Sequence, residues 1–206
     1  MEMLAYSKLD VTSQNCSQER FYLSPLDKSL EAQTVEVIQN TLIQLQSVGA
    51  ELGATKRKLS TFHEAYTKPG SIYLVLIDSL TTRVVGGVGL VPFAGLDPSE
   101  GIGEIRELTV DNSYRRQGLG LRLLQAAFDT AVGLQYKRLY LEATEHMVPA
   151  EALFLRFGFR PVAIHQKNSK RRKDPLIRQS GQPAFFVWED PSSDLRSGTE
   201  PQHSQT

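Results

Sequence analysis

The stretch Leu108-Thr-Val-Asp-Asn-Ser-Tyr-Arg-Arg-Gln-Gly-Leu-Gly120 most constrains this chain. It leaves a run that reads as a strand, Gly103 to Val110, passes a polar turn with two arginines, and enters an amphipathic helix. From Gly118 to Ala131, Leu121, Leu124, Ala127, Phe128 and Ala131 recur at helical spacing. The next apolar run, Lys137 to Glu142, reads as a strand. A strand, a helix and a strand in succession form a right-handed crossover unit, which sets the two strands parallel.

The rest of the pattern builds around that unit. Phe21-Tyr-Leu23 reads as a short strand and Leu30 to Val48 as a helix carrying Val35, Ile38, Leu42 and Leu45 on one face. Leu59 to Tyr66 suggests a weaker helix. Ile72 to Ile77 and Arg83 to Leu90 pair as a hairpin, and Pro149 to Phe157 is a short helix with proline suited to its first turn. Phe159 to Ile164 and Ala184 to Trp188 close the pattern. Residues 1–19 are polar and read as a flexible arm, 20–190 as the domain, and 191–206 as a tail with too little apolar surface to offset its ordering entropy.

Composition excludes several function classes. Twenty-three basic residues balance twenty-three acidic ones, which argues against a general nucleic-acid binder. Cys16 is the single cysteine, and His63, His146, His165 and His203 lack ligand spacing, so no metal site is expected. No run is apolar enough to span a bilayer, and the start lacks an apolar signal core, so a cytoplasmic location is expected.

Gly118 and Gly120 stand where the helix begins. A helix N-terminus offers unpaired N–H groups and a positive dipole end, and glycine lets phosphates approach the backbone. Arg115 and Arg116 add positive charge. The loop therefore reads as a pyrophosphate cradle. It lacks the Gly-x-x-x-x-Gly-Lys-Ser/Thr of P-loop nucleotidases. It also lacks the third glycine of a dinucleotide fingerprint, because Leu123 stands there.

Arg115-Arg-Gln-Gly118-Leu-Gly120 resembles the Gln/Arg-x-x-Gly-x-Gly/Ala signature of the GNAT superfamily of acetyl-coenzyme A-dependent N-acetyltransferases. Glu104 to Val110 is similar to that family's fourth strand, and Met147 to Phe159 to its second signature. The resemblance covers about residues 21–190. It implies an α/β fold of three layers: a central mixed, mostly antiparallel sheet of six to seven strands, with strands 4 and 5 parallel and splayed, and helices on both faces. It implies acetyl-coenzyme A (acetyl-CoA) as co-substrate. The backbone of Leu108, Thr109 and Val110 would hold the pantetheine and acetyl carbonyl, with an N–H at Leu108 facing the thioester oxygen. The amides of Arg115, Arg116, Gln117, Gly118, Leu119, Gly120 and Leu121 would hold the pyrophosphate. The implied base is Glu104, with Glu107 second. By strand alternation Glu104 shares a face with Arg106, Leu108 and Val110, and Glu107 points the other way. Both acids equally fit surface charges paired with Arg106 or Arg138.

One departure from the family matters. Its second signature usually carries a tyrosine that protonates the departing thiolate, and here Phe154 stands there. Tyr140 and His146 are near in sequence, with sheet packing and a solvated loop as their plainer roles. Lys167, Lys170, Arg171, Arg172, Lys173 and Arg178, against Asp174 alone, make a basic loop that is merely solvated or suits an acidic acceptor, nucleic acid or the 3′-phosphate of coenzyme A. Two functions stand: an N-acetyltransferase acting on a primary amine, and a coenzyme A-binding interaction protein with weak or lost catalysis. Both leave a homodimer open.

Overall fold

The computed structural model describes residues 19–45, 59, 62–143, 148–162 and 184–190. Seven strands form one mixed sheet in the order β1-β2-β3-β4-β5-β7-β6. They are β1 Phe21–Pro25, β2 Ile72–Asp78, β3 Arg83–Pro92, β4 Ile102–Val110, β5 Arg138–Ala143, β6 Arg160–Val162 and β7 Ala184–Glu189. The β4–β5 pair is parallel and its neighbours are antiparallel, as the crossover rule requires.

Helices cover both faces. On one, α1 (Glu31–Leu45) and α2 (Phe62–Tyr66) bury Val37, Ile38, Phe62 and Tyr66 against Tyr73, Val75, Ile77, Val84 and Val91. On the other, α3 (Leu119–Gly133) and α4 (Val148–Arg156) pack Leu119, Leu123, Leu124, Ala127, Ala131 and Phe154 on Leu76, Val85, Val88, Leu90, Ile105, Leu139 and Leu141. The β2 and β3 strands supply residues to both cores, which is why they read as continuous apolar runs rather than alternating ones.

Two glycines within β3 have a specific task. A Cβ on Gly87 would land on the Tyr73 ring, and one on Gly89 on the Tyr66 ring and hydroxyl. Their missing side chains let both rings lie across β3 and reach β4. The sequence pattern anticipates a hairpin partner here and overlooks this close approach.

At the end of β2, Asp78 has a fully buried side chain and receives Arg20 through Nη2–Oδ2 at 3.0 Å and Nε–Oδ1 at 3.3 Å. The Arg20 guanidinium also lies over the Phe21 ring, 4.9 Å from its centroid, and Phe21 meets Tyr114 edge-on. The guanidinium holds the Asp78 carboxyl below its ordinary range. A depressed native pKa gives stability that is full above the unfolded value, about 4, and lost as pH falls through the native one. Acid titration followed by circular dichroism is expected to show Asp78→Asn less stable than the parent at neutral pH, but with a shallower decline below about pH 4.

Candidate active site

The β4–β5 pairing runs only from Ile102↔Arg138 to Ile105↔Leu141. Beyond Ile105, β4 continues to Val110 paired with β3 alone. The two parallel strands therefore part company, and the backbone from Arg106 onward borders a gap. The splay that the family resemblance implies has a local cause visible in the register. Gly87 pairs with Thr109 but Gly89 with Arg106, so Glu107 and Leu108 together oppose Val88. That is a β-bulge, and Glu107 takes the left-handed φ of 45° within it.

The bulge overturns the simple alternation along β4. Ile105, Leu108 and Val110 all face the α3 core. Glu107 turns instead to the α1–α2 face, where the Tyr66 hydroxyl donates to its carboxylate. Glu104 and Arg106 flank Ile105 on that same face. The prediction that Glu107 points away from Glu104 fails because the extra residue shifts the phase by one, and no local composition marks it.

The two acids have different surroundings. Glu104 Oε2 accepts from Arg106 Nη2 at 2.6 Å, and its side chain is 19% exposed. That contact keeps the Arg106 guanidinium firmly charged. Glu107 is held from behind: Tyr66 donates to its carboxylate and the Tyr73 hydroxyl to its backbone carbonyl at 3.2 Å. Burial, then the Glu107 charge, pushes the Tyr66 phenol well above its ordinary range, so it keeps its proton and donates it to Glu107 in that hydrogen bond. Burial likewise raises Tyr73. Neither tyrosine is signalled as functional by the sequence; three closely spaced glycines in a strand, Gly86, Gly87 and Gly89, are the available hint.

The glycine loop forms at the other end of the gap. Asp111 caps a short turn by accepting from Ser113 N at 2.9 Å, and Asp111 N donates to Val85 O at 2.8 Å. Arg115 Nε donates to Val110 O at 3.0 Å and Nη2 to Gln44 Oε1 at 3.3 Å. The Arg115 side chain thus braces the loop to β4 and α1, whereas Arg116, Gln117 and Gly118 are exposed. Gly118 caps α3 with φ 77°. A Cβ on Gly118 would meet nothing within 4 Å, and one on Gly120 only Leu153 Cδ2 at 4.0 Å. Packing within the chain therefore does not demand Gly120. The cleared backbone at a helix N-terminus fits a pyrophosphate, and the residues present fit coenzyme A. Cavities of about 250 Å³, lined by Asn40, Asp111, Ser113 and Tyr114, and about 460 Å³, lined by Gly118, Leu121 and Arg122, flank the loop.

A model of the acetyltransferase (GNAT) family matches residues 41–159, more than half the chain. The chain belongs to this family. An uncharacterized N-acetyltransferase of Escherichia coli K12, YjgM, is 31% identical over 144 residues, covering 66% of this chain and 82% of YjgM. The fold matches solved structures at lower identity. A GNAT acetyltransferase of Staphylococcus aureus Mu50 gives a TM-score of 0.63 at 15% identity, over 82% of this chain and 98% of that one. The yncA structure of Salmonella typhimurium, which holds its cofactor acetyl-CoA, gives 0.63 at 16%, over 90% and 100%.

Phe154 is 4% exposed and packs against Phe159 and Phe186, with ring centroids 6.3 and 5.9 Å away. It is a core residue of this GNAT domain. Tyr140 lies across the sheet from that core, stacked on Phe93. Trp188 packs edge-on against Phe128 on the α3 side. His146, the whole basic 165–183 loop, the 1–18 segment and the 191–206 tail lie outside the described residues. Among the described residues there is no metal-ligand cluster, and no helix long and apolar enough to cross a membrane.

Proposed function

We propose that this GNAT domain transfers the acetyl group of acetyl-CoA to a primary amine in a ternary complex, at the gap between β4 and β5. The observation that carries the reading is the parting of the parallel pair after Ile105, directly beside two acids and in line with the glycine loop. The amides from Arg115 to Leu121 would hold the pyrophosphate, and the backbone of Leu108, Thr109 and Val110 the pantetheine. Acetyl-CoA supplies an activated acyl thioester.

The chain's residues supply the rest. A free alkylamine is mostly protonated near neutral pH, so a base is required. Glu104 takes the amine proton, directly or through one water, and Glu107 is the second candidate. An N–H at Leu108 stabilises charge developing on the acyl oxygen. The neutral nitrogen adds to the acyl carbon and places charge on the acyl oxygen; as that charge returns, the carbon–sulfur bond breaks, the electron pair leaves on sulfur, and the second nitrogen proton passes to the thiolate or to water. A thiolate is a tolerable leaving group without an obligatory acid, which accommodates Phe154.

Phe154 also favours a second reading, a coenzyme A-binding protein without transfer. Thiol release from acetyl-CoA across a panel of amines separates them. The first reading expects an N-acetylated product matching the thiol released for at least one amine. Bound acetyl-CoA with no product from any amine would select the second.

A further inference from the structure

Glu104 does not stand alone on its face of the sheet. Arg106 lies two residues along and is ion-paired to it, with a side chain 40% exposed. The parallel register sets Tyr140 directly beside Glu104, on the face away from the α3 core. Tyr140 stacks on Phe93 with centroids 4.3 Å apart and planes 28° from parallel, making an aromatic wall. One short stretch of sheet thus presents a carboxylate, a guanidinium and an apolar surface together.

Those three groups discriminate among amines. A simple alkylammonium approaching Glu104 meets like charge at Arg106, and a diamine meets it twice. A peptide N-terminus offers the guanidinium only a neutral carbonyl. A carboxylate adjacent to the amine matches it, because the guanidinium's planar fork is complementary to carboxylate oxygens. In the free protein Glu104 and Arg106 occupy each other. A second carboxylate arriving at Arg106 leaves Glu104 to the amine. Glu107, tied back to Tyr66, keeps the local charge favourable to an ammonium.

We propose that the acceptor is a free α-amino acid with an apolar or aromatic side chain. Arg106 binds its carboxylate, Glu104 receives its amine proton, and the Tyr140–Phe93 wall packs its side chain. This rests on the acetyl-transfer reading and names its substrate class. It makes Arg106 and Phe93 specificity residues, neither of which the transfer chemistry itself requires.

The test compares L-phenylalanine, its amide, phenethylamine and putrescine as acceptors, with hydrocinnamate as inhibitor. Wild-type kcat/KM for phenylalanine is expected to exceed that for the amide and phenethylamine by about tenfold to a hundredfold, the range for losing one charge-assisted contact. Putrescine is expected to be poorest, and hydrocinnamate to compete with phenylalanine. In Arg106→Gln the ratio of phenylalanine to its amide is expected to fall toward one, and in Arg106→Lys to fall partway. A ratio is used because damage passed on to Glu104 lowers both acceptors alike. Phe93→Ala is expected to reduce the preference for phenylalanine over alanine. Calorimetric binding of phenylalanine to the coenzyme A-loaded protein is expected in the wild type and absent in Arg106→Gln. The proposal is overturned if the amide, phenethylamine or putrescine matches phenylalanine in the wild type, or if the Arg106→Gln ratio is unchanged. Failure of the transfer reading looks different: acetyl-CoA binds, and no acceptor releases thiol.

Discussion

Glu104→Gln is expected to lower acetyl transfer at neutral pH by about a hundredfold or more, with acetyl-CoA binding nearly intact. The amide keeps the shape of the side chain and a contact to Arg106 but cannot accept the amine proton. Reaction then depends on the small fraction of acceptor already neutral. The residual rate of the variant should therefore climb about tenfold per pH unit toward the amine pKa, while the parent levels off earlier. Steady-state rates over a pH series, together with thermal shifts by acetyl-CoA, check both halves. A Glu104→Gln enzyme with parental turnover at neutral pH would move the proton to Glu107, whose carboxylate lies on the same face because of the bulge.

At Gly120 the chain's own stability and its ligand pull in opposite directions. The residue is helical, and a Cβ would touch only Leu153 Cδ2 at 4.0 Å. Gly120→Ala is therefore expected to stabilise the free protein, by about 0.5–1 kcal/mol from helix propensity. The same methyl group would stand where phosphates approach, so the acetyl-CoA-induced rise in melting temperature should shrink. Gly120→Glu brings bulk and negative charge to the cradle and is expected to abolish that rise. Gly118→Glu should do the same with an added folding cost, since its φ of 77° disfavours side chains. Calorimetric melting of each variant, with and without acetyl-CoA, measures both effects. Undiminished shifts in both glutamate variants would put the phosphates elsewhere.

Much of this was legible without coordinates, for reasons that particular residues show. The strand from Gly103 to Val110, the glycine loop and the helix after it follow from local patterns, and local patterns determine them. The β4–β5 pairing followed from a connection rule that needs only the order of elements. The faces of β4 did not follow. One extra residue at Glu107 moves Leu108 to the core side, and a bulge depends on the partner strand rather than on its own composition. The clamp on Glu107 was equally hidden, because Tyr66 and Tyr73 lie 41 and 34 residues away in sequence. Their route across β3 was written only as glycines in a strand. The loop sequence marks Arg115 for its positive charge, and it does not show that the side chain also ties Val110 to Gln44. A cation beside a glycine loop carries no sequence mark of whether it points outward or braces the loop. The aromatic wall beside Glu104 needed the register that pairs Tyr140 with it.

Amide hydrogen exchange with and without acetyl-CoA reads where the cofactor lies without requiring an acceptor, and so tests whether it occupies the gap between β4 and β5. Slowed exchange is expected in two segments, 106–110 along the unpaired edge of β4 and 115–121 at the start of α3, with β1 and β2 unaffected. Protection absent from both segments at saturating acetyl-CoA, or confined to some other edge of the sheet, would contradict that placement.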